Sequence, residues 1–226
     1  MSRFDSTCWT VVMGAAAGNP ADRDAFCRQY GPVIRAYLAA RWRIPFDGDT
    51  ITDATQEVFL QFFRTDGAFE RLDPERSSGF RAFLYGVTNR TACVLERKSA
   101  RERRDSSIPE FDPDRVERSE ATLSAVFDRA WAKMLGREAR VLMAERAARS
   151  PAATNRLRCL ELRLLRGLPP REIAPRLGVD VERVYEMLGV ARKEFRAALL
   201  AVMAGYHPEL SERELEEKCS ELAVPP

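Results

Sequence analysis

The chain has 226 residues, 45% of them hydrophobic, with 36 basic residues against 34 acidic ones for a formal net charge of +2. That apolar content speaks against a disordered chain, and the length allows one domain or two small ones. A near-neutral total excludes neither a polyanion nor a protein as partner, so the distribution of charge along the chain has to be followed.

Cys8, Cys27, Cys93, Cys159 and Cys219 stand singly, without a CxxC pair, and His207 is the only histidine. This argues against a zinc site and against a disulfide framework, and it fits a reducing cytoplasm. No cofactor is expected. The apolar run at 9–17 is short and follows Arg3 and Asp5 rather than a basic cluster, so it reads as a small amphipathic helix and not a signal peptide. No segment is long enough to span a membrane.

In chain order, Phe26, Tyr30, Ile34, Tyr37, Leu38 and Trp42 make the first strong helical pattern, interrupted by Gly31-Pro32, which predicts either two helices or one kinked helix. Over 50–64, TITDATQEVFLQFFR puts Ile51, Ala54, Thr55, Val58, Phe59, Phe62 and Phe63 on one helix face. Asp53, Gln56, Glu57, Leu60 and Arg64 fall on the other. That polar face is either solvated or a docking surface for a basic partner. A loop follows at 65–76, with Gly67 and Pro74 as breakers.

Residues 77–104, SSGFRAFLYGVTNRTACVLERKSARERR, read as one helix capped by Ser77 or Ser78, with Phe80, Phe83, Leu84, Val87, Thr91, Val94 and Leu95 at helical spacing. From Phe80 to Arg104 seven basic residues face Glu96 and Glu102, a net local charge of +5. A helix that begins aromatic and ends basic suits a polyanion, because cations neutralise phosphates and rings can stack on unpaired bases. A solvated charged end on an ordinary core helix is the alternative.

Composition then reverses. Residues 105–120 hold six acidic residues, two basic ones and two prolines, which reads as a linker between two domains. Its acidity is that of a soluble linker or of an internal mimic of nucleic acid. The second domain opens with a long helix through Leu123, Phe127, Trp131, Leu135 and Leu142. The next helix is expected to turn Leu157, Leu160, Leu164 and Leu165 inward and to stop near Gly167. In LPPREIAPRLGVDVERVYEMLGVARKEFRAALL, Pro169-Pro170 start a short helix, Ala174 is the small crossing residue, and Leu177-Gly178-Val179 form the turn. Asp180 caps a second helix with Val181, Val184, Leu188 and Phe195 inward. This is a helix-turn-helix layout, whose second helix enters the major groove, with Arg183, Arg192, Lys193 and Arg196 outward. Pro175 should kink the first of these helices. The acidic tail 206–226 has Leu210, Leu215, Cys219 and Leu222 at helical spacing, as for a surface helix.

The order of these parts resembles the extracytoplasmic-function subgroup of the sigma-70 family of RNA polymerase sigma factors, over roughly residues 7–204. TDATQEVFLQFFR resembles the region 2 helix (D-x-x-Q-E-V-F), FRAFLYGVTNRTACVLERKSARERR the promoter-melting helix, and the stretch 171–199 the region 4 helix-turn-helix. The resemblance implies an all-α fold of two small helical domains, region 2-like over 1–104 and region 4-like over 121–205, joined by the linker 105–120 and followed by the tail 206–226. It implies that Asp53, Gln56 and Glu57 bind the clamp helices of the β′ subunit of core polymerase, with the β flap as a second contact. The loop 65–78 with Phe80, Phe83 and Asn89 would hold the non-template strand of the −10 element, including a flipped base, and Arg90, Arg97, Lys98, Arg101, Arg103 and Arg104 would hold phosphates. The helix starting at Asp180, with Glu182, Arg183, Tyr185, Arg192, Lys193 and Arg196, would contact the −35 element. An anti-sigma factor is a further implied partner. Two departures stand out: Tyr185, Met187 and Val190 occupy positions where the family usually has basic or hydroxyl residues, and Phe83 stands where many members have tryptophan.

Three functions are therefore weighed. The first is a dissociable initiation subunit with no catalytic residues of its own. The second is a stand-alone helix-turn-helix regulator of duplex DNA, which leaves the polar Asp53 face and the basic helix unexplained. The third is an all-helical enzyme using Asp53 and Glu57 one turn apart, disfavoured by the lone histidine and the lack of a convergent partner motif.

Overall fold

Helical spacing of apolar residues recurs along most of the chain, and among the described residues it forms helices. The computed structural model describes residues 8–72, 79–105 and 119–221, without the side chains of 8, 102–105 and 221. Among the described residues there are nine α-helices, one 3-10 turn and no strand, so the fold is all-α. The helices are α1 (Cys8–Ala16), α2 (Pro20–Trp42), α3 (Asp49–Phe63), α4 (Gly79–Asp105), α5 (Glu120–Ala147), α6 (Pro151–Leu164), α7 (Pro170–Leu177), α8 (Val181–Tyr206) and α9 (Glu212–Glu221), with the 3-10 turn at Phe69–Arg71. No helix among the described residues is long and apolar enough to cross a membrane.

The described residues divide into two compact units, 8–134 and 135–221. This division differs from the linker expected at 105–120, of which residues 106–118 lie outside the described residues. It falls inside α5, because the first half of that helix carries Leu123, Phe127, Trp131 and Met134, all buried, and these side chains complete the core of the first unit. Acidic composition reports where a chain is solvated; it does not report which core the next apolar residues enter.

In the first unit Asn19 caps α2 by accepting from the amides of Ala21 and Asp22, and Pro20 takes the first helical position, where its missing N–H costs nothing. The helix then continues through Gly31-Pro32 as one element. The buried series Phe26, Tyr30, Ile34, Tyr37 and Leu38 spans the interruption and packs it from both sides. Around Phe26 stand the rings of Tyr30, Phe59, Phe62, Phe63, Phe69 and Phe80 at 4.7–6.0 Å between centroids. Trp131 of α5 closes this cluster, stacked on Tyr30 at 5.9 Å and on Phe127 at 6.5 Å.

In the second unit Ser150 caps α6 by accepting from the amide of Ala153. The α7–α8 pair forms as its residues dictate. Helix α7 continues through Pro175 to Leu177, and Gly178, at φ +67°, takes the left-handed conformation that ends it without strain. Asp180 accepts from the amide of Arg183 at 2.7 Å and starts α8. Ala174 is buried at the crossing, as are Val184 and Leu188, while Val181 and Phe195 are only partly covered. Leu164 and Leu165, expected inward, are exposed, Leu165 by 66%. The buried stripe of α6 is Leu157, Cys159 and Leu160; periodicity sets the helix face but not where the neighbouring helix stops covering it. Helix α9 buries Leu215 within this unit.

Candidate nucleic-acid interface

The outward face of α4 is a stripe at helical spacing: Phe83, Gly86, Arg90, Val94, Arg97 and Arg101. Phe83 is half-buried, set edge-on to Phe62 at 6.0 Å, and the residues after it are exposed. Lys98 is also exposed on the same half of the helix. The stripe therefore joins one partly open ring to a row of solvated cations, the arrangement that can meet an unpaired base and its backbone together. Of the other residues expected here, Arg103 and Arg104 lie on α4 with side chains outside the described residues, as does the 73–78 part of the loop, including the capping serines.

Phe80 does not belong to that stripe. It is 1% exposed, packed among Trp9, Phe26, Tyr30, Phe83 and Trp131. It falls three residues before Phe83, but on the side of the helix that meets α2, so its ring is core and cannot hold a base. Arg81, next to it, forms an ion pair with Asp128 and lies over the Phe127 ring at 5.6 Å. Tyr85 donates to Glu120 at 2.7 Å, and burial first, then that hydrogen bond, raises the phenol above its usual pKa.

Asn89 is likewise drawn inward. Its side-chain oxygen accepts from the Tyr37 hydroxyl and from Arg41 Nη1, each at 3.0 Å. Arg41 also grips Glu96 bidentately, Nε to Oε1 at 2.6 Å and Nη2 to Oε2 at 3.0 Å, while Trp42 Nε1 donates to Glu96 Oε1 at 2.8 Å. Burial works against ionisation of Glu96, yet the hydrogen bonds from Arg41 and Trp42 hold its carboxyl below the usual carboxylate range. The Glu96 hydrogen bond likewise raises Arg41 above the ordinary guanidinium value. This network ties α2 to α4 below the basic stripe. By spacing alone Glu96 is only one of two acids, with Glu102, opposing the basic run, and nothing in the sequence sets it against Arg41 and Trp42.

On α3, Asp53 and Gln56 are exposed, and Glu57, half-buried, accepts from Gln61 at 2.7 Å. Leu60, 58% exposed, stands on the same face one turn beyond.

In the second unit Asp180, Glu182, Arg183, Tyr185, Arg192, Lys193 and Arg196 are all exposed. Tyr185 is open by 63% and Val190 by 45%. Met187, grouped with them from the sequence, is instead buried against the unit's core, since it shares the inner face with Val184, Leu188 and Ala191. Next to α8, Ala152, Asn155 and Arg156 of α6 with Leu177, Val179, Arg183, Glu186, Met187 and Val190 line an open hollow of about 490 Å³. Arg156 there is paired with Glu194. Among the described residues no group of three or more His, Cys, Asp or Glu side chains is placed to hold a metal ion.

No protein-family model matches the chain, and no curated protein matches it.

Proposed function

We propose that this chain is an RNA polymerase sigma factor of the extracytoplasmic-function type, a cytoplasmic subunit that directs core polymerase to promoters. In this reading the α3 face, Asp53, Gln56, Glu57 and Leu60, docks on the β′ clamp helices. The α4 stripe captures the opened −10 strand, Phe83 against a base and Arg90, Arg97 and Arg101 against phosphates. The α7–α8 pair contacts duplex DNA upstream. The observation that supports this most is the division of labour within 8–134: one face of α3 that carries Asp53, Gln56 and Glu57, and a separate face of α4 that carries Arg90, Arg97 and Arg101. A duplex reader alone needs neither.

The test is reconstitution with core polymerase. Co-elution on gel filtration and run-off transcription from a selected promoter are expected, and a chain that never co-elutes with core would end the proposal. Charge reversal at Asp53 and Glu57 is expected to weaken core binding at least tenfold. Phe83→Ala is expected to leave core binding intact and to reduce permanganate reactivity of the opened −10 strand. Duplex binding without any core binding would leave the stand-alone regulator as the better reading.

A further inference from the structure

Helix α8 exposes an ordered stripe, Arg183, Glu186 and Val190, at i, i+3 and i+7. Arg183 Nη1 donates to Glu186 Oε2 at 2.6 Å, and the side chains are 61% and 57% exposed. The rotation of the helix is set by its buried inner face, Val184, Met187, Leu188 and Ala191, and its first turn is held by the Asp180 cap. A Cβ added at Gly189, beside the stripe, would meet no atom of this chain within 4 Å, and the stripe itself borders the hollow shared with Ala152, Asn155 and Arg156 of α6.

We propose that this stripe reads one G·C pair and an adjoining thymine in the major groove. The inference rests on α7–α8 being a duplex reader, which the sigma-factor reading and its alternative share. Along its major-groove edge a G·C pair offers two acceptors, guanine N7 and O6, followed by the cytosine N4 amino donor. The Arg183–Glu186 pair presents the complementary order, a guanidinium fork beside a carboxylate. An A·T edge offers a single acceptor before its amino donor, so the fork loses one of its two bonds. Val190 lies one turn further, about 6 Å along the axis at 1.5 Å per residue. Its exposed methyls have no polar bond to make, and the group in the groove that suits them is the thymine C5 methyl. The ion pair carries no net charge toward phosphates, so attraction to the backbone falls to Arg192 and Lys193, exposed further along α8.

The experiment uses the full chain without polymerase, first selecting from a pool of random 20-bp duplexes (about two helical turns of B-DNA) and then measuring affinity for the selected duplex and its variants. A G·C pair next to a thymine is the expected core of the selected site. Changing that pair to A·T should weaken binding about tenfold, and Arg183→Ala, which removes the fork, should erase most of that difference. Replacing the thymine by deoxyuracil, which lacks only the methyl, should weaken the native chain several-fold and leave Val190→Ser indifferent. Both substituted positions are exposed, so these variants keep the helix, and circular dichroism checks it. The inference is overturned if nothing is selected, if the preference survives Arg183→Ala, or if deoxyuracil is tolerated. Run-off transcription is scored separately. A chain that initiates with an upstream preference indifferent to Arg183→Ala defeats only this inference, and one that selects the site but never binds core defeats only the sigma-factor reading.

Discussion

The two units are held together by different materials. Among the described residues the paired aromatic rings fall between Trp9 and Trp131, as in Trp9–Phe80, Phe26–Phe62, Tyr85–Phe127 and Phe127–Trp131. The buried residues of 135–221 are Leu, Met, Val, Ile, Cys and Ala, with Tyr206 the one buried ring. The difference teaches where each functional face comes from. In the first unit most rings face the core, Phe80 included, and α4 leaves Arg90, Arg97, Lys98 and Arg101 outside together with Gly86, Val94, Ser99 and Ala100. In the second unit small residues such as Ala174, Ala191 and Ala198 let helices cross closely, which leaves one whole side of α8 open to solvent.

The contrast can be broken most severely at the rings. Phe127→Ala removes a fully buried side chain of α5, and it is expected to cost the first unit about 3–5 kcal/mol in urea denaturation while leaving the 135–221 unit nearly unchanged. A chain ending at 105 should fail to show the cooperative unfolding of one ending at 134, because it lacks Phe127 and Trp131. Equal stability of the two would mean that the first half of α5 adds nothing to that core.

The polar network is the next largest element. Glu96→Gln keeps the shape but removes the charge that Arg41 and Trp42 grip, and should cost about 2 kcal/mol. The same group sets a pH dependence. Its carboxyl titrates lower in the folded unit than in the unfolded chain, so its contribution is complete above the unfolded carboxylate value near 4.5 and is lost as pH falls through the lower, folded value. Native Glu96 should therefore show a steeper acid loss of stability than Glu96→Gln; parallel curves would remove it as the cause. Asn89→Ala should cost about 1 kcal/mol by taking an acceptor from Tyr37 and Arg41, a stability effect at a position that the family resemblance assigns to DNA.

The smallest stability effects and the clearest functional ones are expected on the outer face of α4. Exchanging Arg97 and Arg101 for glutamine should change stability by less than about 0.5 kcal/mol. It should also lower the slope of log affinity against log salt for single-stranded DNA by about 0.7 per arginine. A loss of stability with an unchanged slope would make these arginines structural.

Much of this was already legible along the chain. The helices of the second unit could be placed from Pro169-Pro170, Gly178 and Asp180, because caps and turns act within a few residues. The α3 faces followed from spacing alone, and so did the outward position of Leu60. What spacing could not supply was ownership. Phe80 and Phe83 look alike in sequence, three residues apart, yet one is sealed by Trp9, Tyr30 and Trp131 and the other keeps a partly open face. Leu160 and Leu165 look alike too, and only one has a neighbour over it. Asn89 reads as a free polar side chain until Tyr37 and Arg41, about fifty residues earlier, are brought against it.

The sequence by itself determined that this protein is helical, where the α7–α8 turn falls, and which side of most helices is apolar, because those properties depend on residues one to four places apart. Only the tertiary structure decided that α5 gives its first half to one core and its second half to the other, that Phe80 is core, and that Arg41 and Glu96 meet. Those outcomes depend on which surfaces cover one another, and burial, not spacing, selects them.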